Sequence, residues 1–200
     1  PPHTQSYLTL ATLKAYEIIT DSSKEINPHL LIECYRSFAA DRDQITYDYG
    51  DKIDSFIGLD LDYIESKISE IDHNQTTPFQ SPEKLGGGTA YMAVKDKDGN
   101  AVSLIQSNFY GIGSTIGVSD YGFFLHNRGA GFNLIENHPN RISPLKKPLH
   151  TLSPTIWSKD GKLDMVIGTR GGRYQPTIIN TIYSSSTSSN FIGRDSYESK

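Results

Sequence analysis

The sequence predicts an α+β layered fold. Three observations carry this: apolar residues at helical spacing up to about residue 71, strand-period patterning from residue 89, and a further helical stretch behind the glycine pair at 171–172. In the first helix, Leu8, Ala11, Thr12, Ala15, Ile18 and Ile19 recur at i, i+3, i+4 and i+7 behind Pro1-Pro2. A second helix starts near Pro28. Leu30, Leu31, Cys34, Phe38 and Ala39 share one face of it, with Arg36, Asp41, Arg42 and Asp43 off that face or at its end. A weaker third helix covers about 60–71.

Residues 72–88 have linker composition and end in Gly86-Gly87-Gly88. An exposed connector explains this, and so does a segment that must bend back on itself to be cut. Strands are expected over 90–95 and 101–106, joined by a tight turn at Asp96-Lys97-Asp98-Gly99-Asn100. Further strands are expected over 121–125, 155–158 and 164–168, with a second turn at Lys159-Asp160-Gly161-Lys162. A helix follows over 175–183. The chain thus divides into a helical part with its linker (1–88), a mostly stranded part (89–183) and a Ser/Thr-rich tail (184–200) expected to be disordered or aberrant.

Composition narrows the function classes. With 36% hydrophobic and 21% charged residues, the chain reads as globular rather than disordered. A net charge of −4 without a basic block argues against a nucleic-acid partner. No apolar run is long enough for a membrane segment. Cys34 is the only cysteine, which excludes an intramolecular disulfide, makes a Cys-based zinc site unfavourable and suits a buried structural thiol. The chain opens on Pro1-Pro2-His3-Thr4-Gln5 without initiator Met or signal peptide, as a processed start or a fragment would, so any targeting segment would lie upstream. Asn74-Gln75-Thr76 fits a glycosylation triplet that also arises often by chance.

Several familiar motifs fail on spacing. Counted as a calcium loop, Asp96 to Asn100 has Gly at the fourth position and Ser107 at the twelfth, which matches a hairpin turn and not an EF-hand. Gly111-Ile112-Gly113-Ser114-Thr115-Ile116-Gly117 lacks the Gly-Lys-Ser/Thr ending of a phosphate loop, leaving a small-ligand binding domain as a weak alternative. There is no His-Glu-x-x-His and no Gly-x-Ser-x-Gly. Neither a metal nor a cofactor is expected.

Five segments remain: Gly86-Gly87-Gly88-Thr89 before a strand; Gln106-Ser107-Asn108-Phe109-Tyr110-Gly111; Asn127-Arg128-Gly129-Ala130-Gly131-Phe132; Pro148-Leu149-His150-Thr151-Leu152-Ser153-Pro154; and Gly168-Thr169-Arg170-Gly171-Gly172. Each alone suits turn or core chemistry. Their order and spacing resemble the γ-glutamyltranspeptidase family of N-terminal-nucleophile hydrolases, from Pro1 to about Pro176. Residues 1–88 resemble the end of the large subunit, with Pro1-Pro2-x-x-Gln5 and Phe38-Ala39-Ala40-Asp41-Arg42 as landmarks. Residues from 89 resemble the start of the small subunit.

The resemblance implies a four-layer αββα sandwich, incomplete in this chain, and autocleavage between Gly88 and Thr89. It also implies a partner, the upstream part of the large subunit, which supplies an Arg for the substrate carboxylate. The implied chemistry is coherent. A threonine hydroxyl needs a neighbouring base, and cleavage creates one in the new α-amino group, with an intrinsic pKa of about 7.7–8.0. By family position, Gly171 and Gly172 supply oxyanion N–H groups, each worth about 3–4 kcal/mol. Ser107 falls where a second hydroxyl supports the nucleophile, and Asn108 where an Asn contacts substrate.

The departures concern the substrate. The family's acidic position is Gly131, and Arg128, after Asn127, replaces a neutral amide side chain. The paired serines for the α-carboxylate become His150 and Thr151. Losing an anion and gaining a cation disfavours a zwitterionic γ-glutamyl head and favours an anionic acyl group. Together with Tyr91 two residues after Thr89, this resembles the branch of transpeptidase-like proteins, cephalosporin acylases and oxamate amidohydrolases. The expected substrate is a small γ-glutamyl or other acyl amide, a glutaryl- or oxamate-like one being the rival. An inactive remnant of the fold is the remaining alternative, since residues 184–200 match nothing in the family.

Overall fold

The computed structural model describes residues 3–20, 26–78 and 88–187. Helix α1 (Tyr7–Thr20) lies against α2 (Pro28–Ala40), and α4 (Leu61–Ile68) packs on both. The start of α2 is set locally: Asn27 accepts the Leu30 N–H at 3.2 Å, and Pro28 takes a first-turn position that needs no N–H. Tyr7, Leu8, Ala11, Ala15, Cys34, Tyr35, Phe38, Ile45 and Ile64 close one apolar core. Cys34 is fully buried, and the apolar surroundings push its thiol up to about 12, so it is inert as a nucleophile. Ile18, expected on the buried face, is exposed, and the core begins earlier, at Tyr7.

The third helix is shorter than the expected 60–71, ending at Ile68. Arg42 follows the end of α2 as expected; it starts a one-turn helix, α3 (Arg42–Ile45), and its side chain is buried. The cost of burial is offset by Asp43, which accepts from Arg42 Nε at 2.8 Å and from Nη2, and by Gln5 Oε1, which accepts from Nη1 at 3.3 Å.

Strands β1 (Thr89–Lys95) and β2 (Ala101–Ser107) form an antiparallel hairpin with Thr89 opposite Ser107. Its turn is held by Asp96 Oδ1, which accepts from the N–H groups of Asp98 and Asn100, and Gly99 takes a φ of 88°. The 121–125 strand shrinks to β4 (Phe123–Phe124), paired only with the two-residue β3 (Gly117–Val118). The loop before β3 bends sharply and Ser114 bonds the Leu125 carbonyl, so little backbone is left for a ladder. It leads into a strand and not a helix, which removes the helix N-terminus a phosphate loop needs.

Strands β5 (Thr155–Lys159) and β6 (Lys162–Ile167) pair through the second turn, where Asp160 and Gly161 both have positive φ. Helix α5 (Gln175–Thr187) packs on α1 and α2, and its Tyr183 stacks on Trp157 of β5. It runs four residues past its expected end and buries Ser184; 188–200, the rest of the tail, lies outside the described residues. The result is a helical layer beside paired strands, an α+β arrangement.

Candidate active site

The first part of the site is the end of the β1–β2 ladder. Directly opposed residues project from the same face, which brings the Thr89 and Ser107 side chains together. Ser107 Oγ donates to the Gly88 carbonyl at 3.0 Å and accepts from the Phe109 N–H at 3.0 Å. The accepted bond orients the hydroxyl proton towards Gly88. Gly86 and Gly87 lie outside the described residues.

Phe109 follows with a φ of 79°, a left-handed conformation costly for a bulky side chain. Asn127 holds the segment in place. It accepts from Tyr110 N and donates to the carbonyls of Tyr110 and Gly113, while its own N–H reaches Asn108 O. Its amide is therefore committed to shaping this loop. Asn108 Nδ2 likewise bonds Ile112 O.

Arg128 sits 4.2 Å above the Phe109 ring and is only 8% exposed. Burial lowers its pKa, which the nearby Tyr110 opposes weakly. Among the described residues it forms no ion pair, and Nη1 has no hydrogen-bond partner. A buried guanidinium without a carboxylate is an arrangement suited to an anion. Its field reaches His150, which burial first, then His3, then Arg128 push down to about 4. His150 Nδ1 accepts from Leu152 N at 3.2 Å, so the neutral ring carries its proton on Nε2.

The third part is the loop after β6. Gly168 lies under the Tyr91 ring, where an added Cβ would come within 2.1 Å of it. Gly171 and Gly172 have φ of 132° and 54°, which favours glycine at both. The Arg170 carbonyl accepts from Thr169 Oγ1 and the Gly171 carbonyl from Tyr174 N. In a trans peptide N–H and C=O point oppositely, so the Gly171 and Gly172 N–H groups face away from these partners.

The helical region fixes the next two carbonyls. Gln5 Nε2 donates to Gly172 O at 2.8 Å and to Thr151 O at 2.9 Å, and Tyr35 Oη donates to Arg173 O at 2.8 Å. His3 and His150 meet edge-on, and the His150 N–H bonds the His3 carbonyl. The structure thus joins Gly88, Thr89, Ser107 and Asn108 directly, and Arg128 through Phe109. His150, Thr151 and Gly172 are tied together through His3 and Gln5. Sequence reasoning missed Phe109, which has no residue-type signal for its backbone, and Tyr35, which reads as core. Gln5 was visible only as a landmark.

The family model described as gamma-glutamyltranspeptidase matches residues 1–190. A glutathione hydrolase-like YwrD proenzyme of Bacillus subtilis is 39% identical over 183 residues, covering 88% of this chain and 34% of its own. An oxamate amidohydrolase proenzyme of Klebsiella pneumoniae is 33% identical over 179 residues, with the same coverage of 88% and 34%. The crystal structure of a cephalosporin acylase from Bacillus halodurans superposes with a TM-score of 0.77 at 27% identity, over 93% of this chain and 34% of that one. The chain spans about a third of the length of these relatives. The helical layer and paired strands are therefore part of an N-terminal-nucleophile hydrolase fold, and the chain belongs to the γ-glutamyltranspeptidase family.

Proposed function

We propose that Thr89 is the nucleophile of a self-maturing amidohydrolase, and that the Gly88-Thr89 bond is its maturation site. One observation carries the reading: the Ser107 hydroxyl is held on the carbonyl that Thr89 would attack. Thr89 Oγ adds to the Gly88 carbonyl carbon while Ser107 stabilises the developing oxyanion. The C–N bond then breaks, the amine takes the proton, and water hydrolyses the resulting ester. The freed Thr89 amine next serves as base for its own hydroxyl during attack on a substrate amide. The Gly171 and Gly172 N–H groups receive that second oxyanion, and the acyl-enzyme passes to water or an amine. The upstream part of the large subunit completes the substrate pocket.

The test uses the full-length protein. Wild type is expected to give two bands on a denaturing gel, the smaller beginning at Thr89, and Thr89→Ala a single band. An intact wild-type chain after long incubation, indistinguishable from Thr89→Ala, would support the inactive-remnant alternative instead.

For the acyl group, the buried Arg128, without an ion-pair partner among the described residues, supports a substrate with an anionic tail, such as a glutaryl- or oxamate-like amide, over the γ-glutamyl group. A higher kcat/KM on a glutaryl anilide than on a γ-glutamyl anilide is expected, with the preference lost in Arg128→Gln. The reverse order in wild type would return the γ-glutamyl reading.

A further inference from the structure

The reading above gives the Gly171 and Gly172 N–H groups the oxyanion but leaves open what fixes their direction. Both residues have backbone conformations that glycine reaches freely, and neither carries a side chain to anchor it. Gly171 is exposed. A pliable, exposed loop is a poor electrostatic device unless its peptide planes are held from outside.

We infer that Gln5, from the opposite region of the chain, is a positioning residue for this oxyanion loop. Its side chain is fully buried and every hydrogen of its amide is used. One N–H meets Gly172 O at 2.8 Å and the other Thr151 O at 2.9 Å. Arg42 Nη1 donates to Gln5 Oε1 at 3.3 Å, which settles the amide orientation. A flipped amide would set its oxygen against two carbonyl oxygens and its NH2 against a guanidinium. Arg42 is itself buried and held by Asp43, which also accepts from Arg173 at 3.4 Å, so the network closes on the residue after Gly172.

The geometric effect falls on Gly172. The peptide plane before it, which carries its N–H, is pinned through Gly171 O and Tyr174 N at 3.0 Å. The plane after it is pinned through Gly172 O, which accepts from Gln5 Nε2 and from the Gln175 N–H. Removing Gln5 leaves the local helical bond and releases the constraint that reaches Gly172 from outside the loop. The N–H then samples directions away from the reacting oxygen, and a displacement near 1 Å costs on the order of 100-fold in rate.

This inference rests on the assignment of Thr89 and the glycine pair. The experiment compares Gln5→Met and Gln5→Glu with wild type and Thr89→Ala in the full-length protein, on γ-glutamyl and glutaryl anilides. Methionine keeps the volume and removes both donors. Glutamate also removes them and gains a charge partner in Arg42, but it sets a carboxylate oxygen against the two carbonyls and is the more severe variant. Both variants are expected to melt as folded proteins and to lose about 10- to 100-fold in kcat. KM should stay within about twofold, since a lost transition-state interaction spares ground-state binding. Folded variants with unchanged kcat, or with the loss confined to KM, overturn the inference. So does failure of both to fold, which would make Gln5 a stability residue only. If Thr89→Ala still matures and turns over substrate, the nucleophile assignment itself has failed. If Thr89→Ala is dead while the Gln5 variants are fully active, only the role of Gln5 has.

Discussion

The helical region and the stranded region solve the burial problem differently. The first closes its own core: Leu8, Ala11, Cys34 and Phe38 are fully inaccessible. The second does not. On the outer face of the β1–β2 hairpin Met92 is 53% and Val94 55% exposed, and Val102 and Leu104 beside them are similarly open. The hairpin carries the proposed nucleophile with one face uncovered among the described residues. Contacts run across the boundary instead, from Gln5 to Gly172, Tyr35 to Arg173, His3 to His150 and Asp48 to the Lys147 N–H. In this chain the loop after β6 is held largely by the helical region.

The sharpest way to break this comparison is to empty the helical core. Phe38→Ala should cost about 3–5 kcal/mol in a urea titration, because it removes a fully buried ring from packed surroundings. A loss below about 1 kcal/mol would mean the helical region is not the rigid partner.

Next in size is the pH dependence of the boundary. His150 has its pKa pushed down to about 4 from an ordinary 6.5. Between those values the unfolded chain binds a proton that the folded one does not, so stability falls as pH drops from 6.5 to 4. The loss approaches about 2–3 kcal/mol, full stability returning above 6.5. His150→Gln should flatten that part of the profile, measured as melting temperature against pH.

A smaller effect sits where the junction segment leaves the helices. The Thr77 N–H donates to buried Glu33 at 2.8 Å, and Arg36 pairs with the same carboxylate at 2.9 Å. Burial alone would raise this carboxyl, but hydrogen bonds from Thr77 and the charge of Arg36 outweigh it and hold it below the ordinary range. The contribution is therefore present at neutral pH and lost as pH falls below the usual carboxylate range. Glu33→Gln should cost about 1–3 kcal/mol at pH 7. It should also slow maturation of the full-length protein, measured as the half-time of the two-band pattern. At the other end, Met92→Ala on the open strand face should change stability of this chain by less than about 0.5 kcal/mol.

Legibility follows the same division. Helix α2 and both hairpin turns could be placed because their signals are local: Asn27 before Pro28, Asp96 before Gly99, Asp160 beside Gly161. The short β4 could not, because its length depends on how the 108–116 loop consumes the backbone of its partner. The burial of Arg42 has no local signal, because its partner Gln5 is 37 positions away. Thr89, Ser107 and the glycine pair are named by ordered motifs. The contacts that hold each of them are not, because they end on carbonyl groups, which every residue has.

The contact between Gly168 and Tyr91 has a consequence for descent. The ring fills the space a side chain at 168 would need, with three of its atoms within 2.6 Å of where a Cβ would stand. A side chain at 168 would require the Tyr91 ring to move aside or shrink, so a change at one position bears on the other. Their joint history across relatives would record when this strand and the loop after β6 became a single inherited unit.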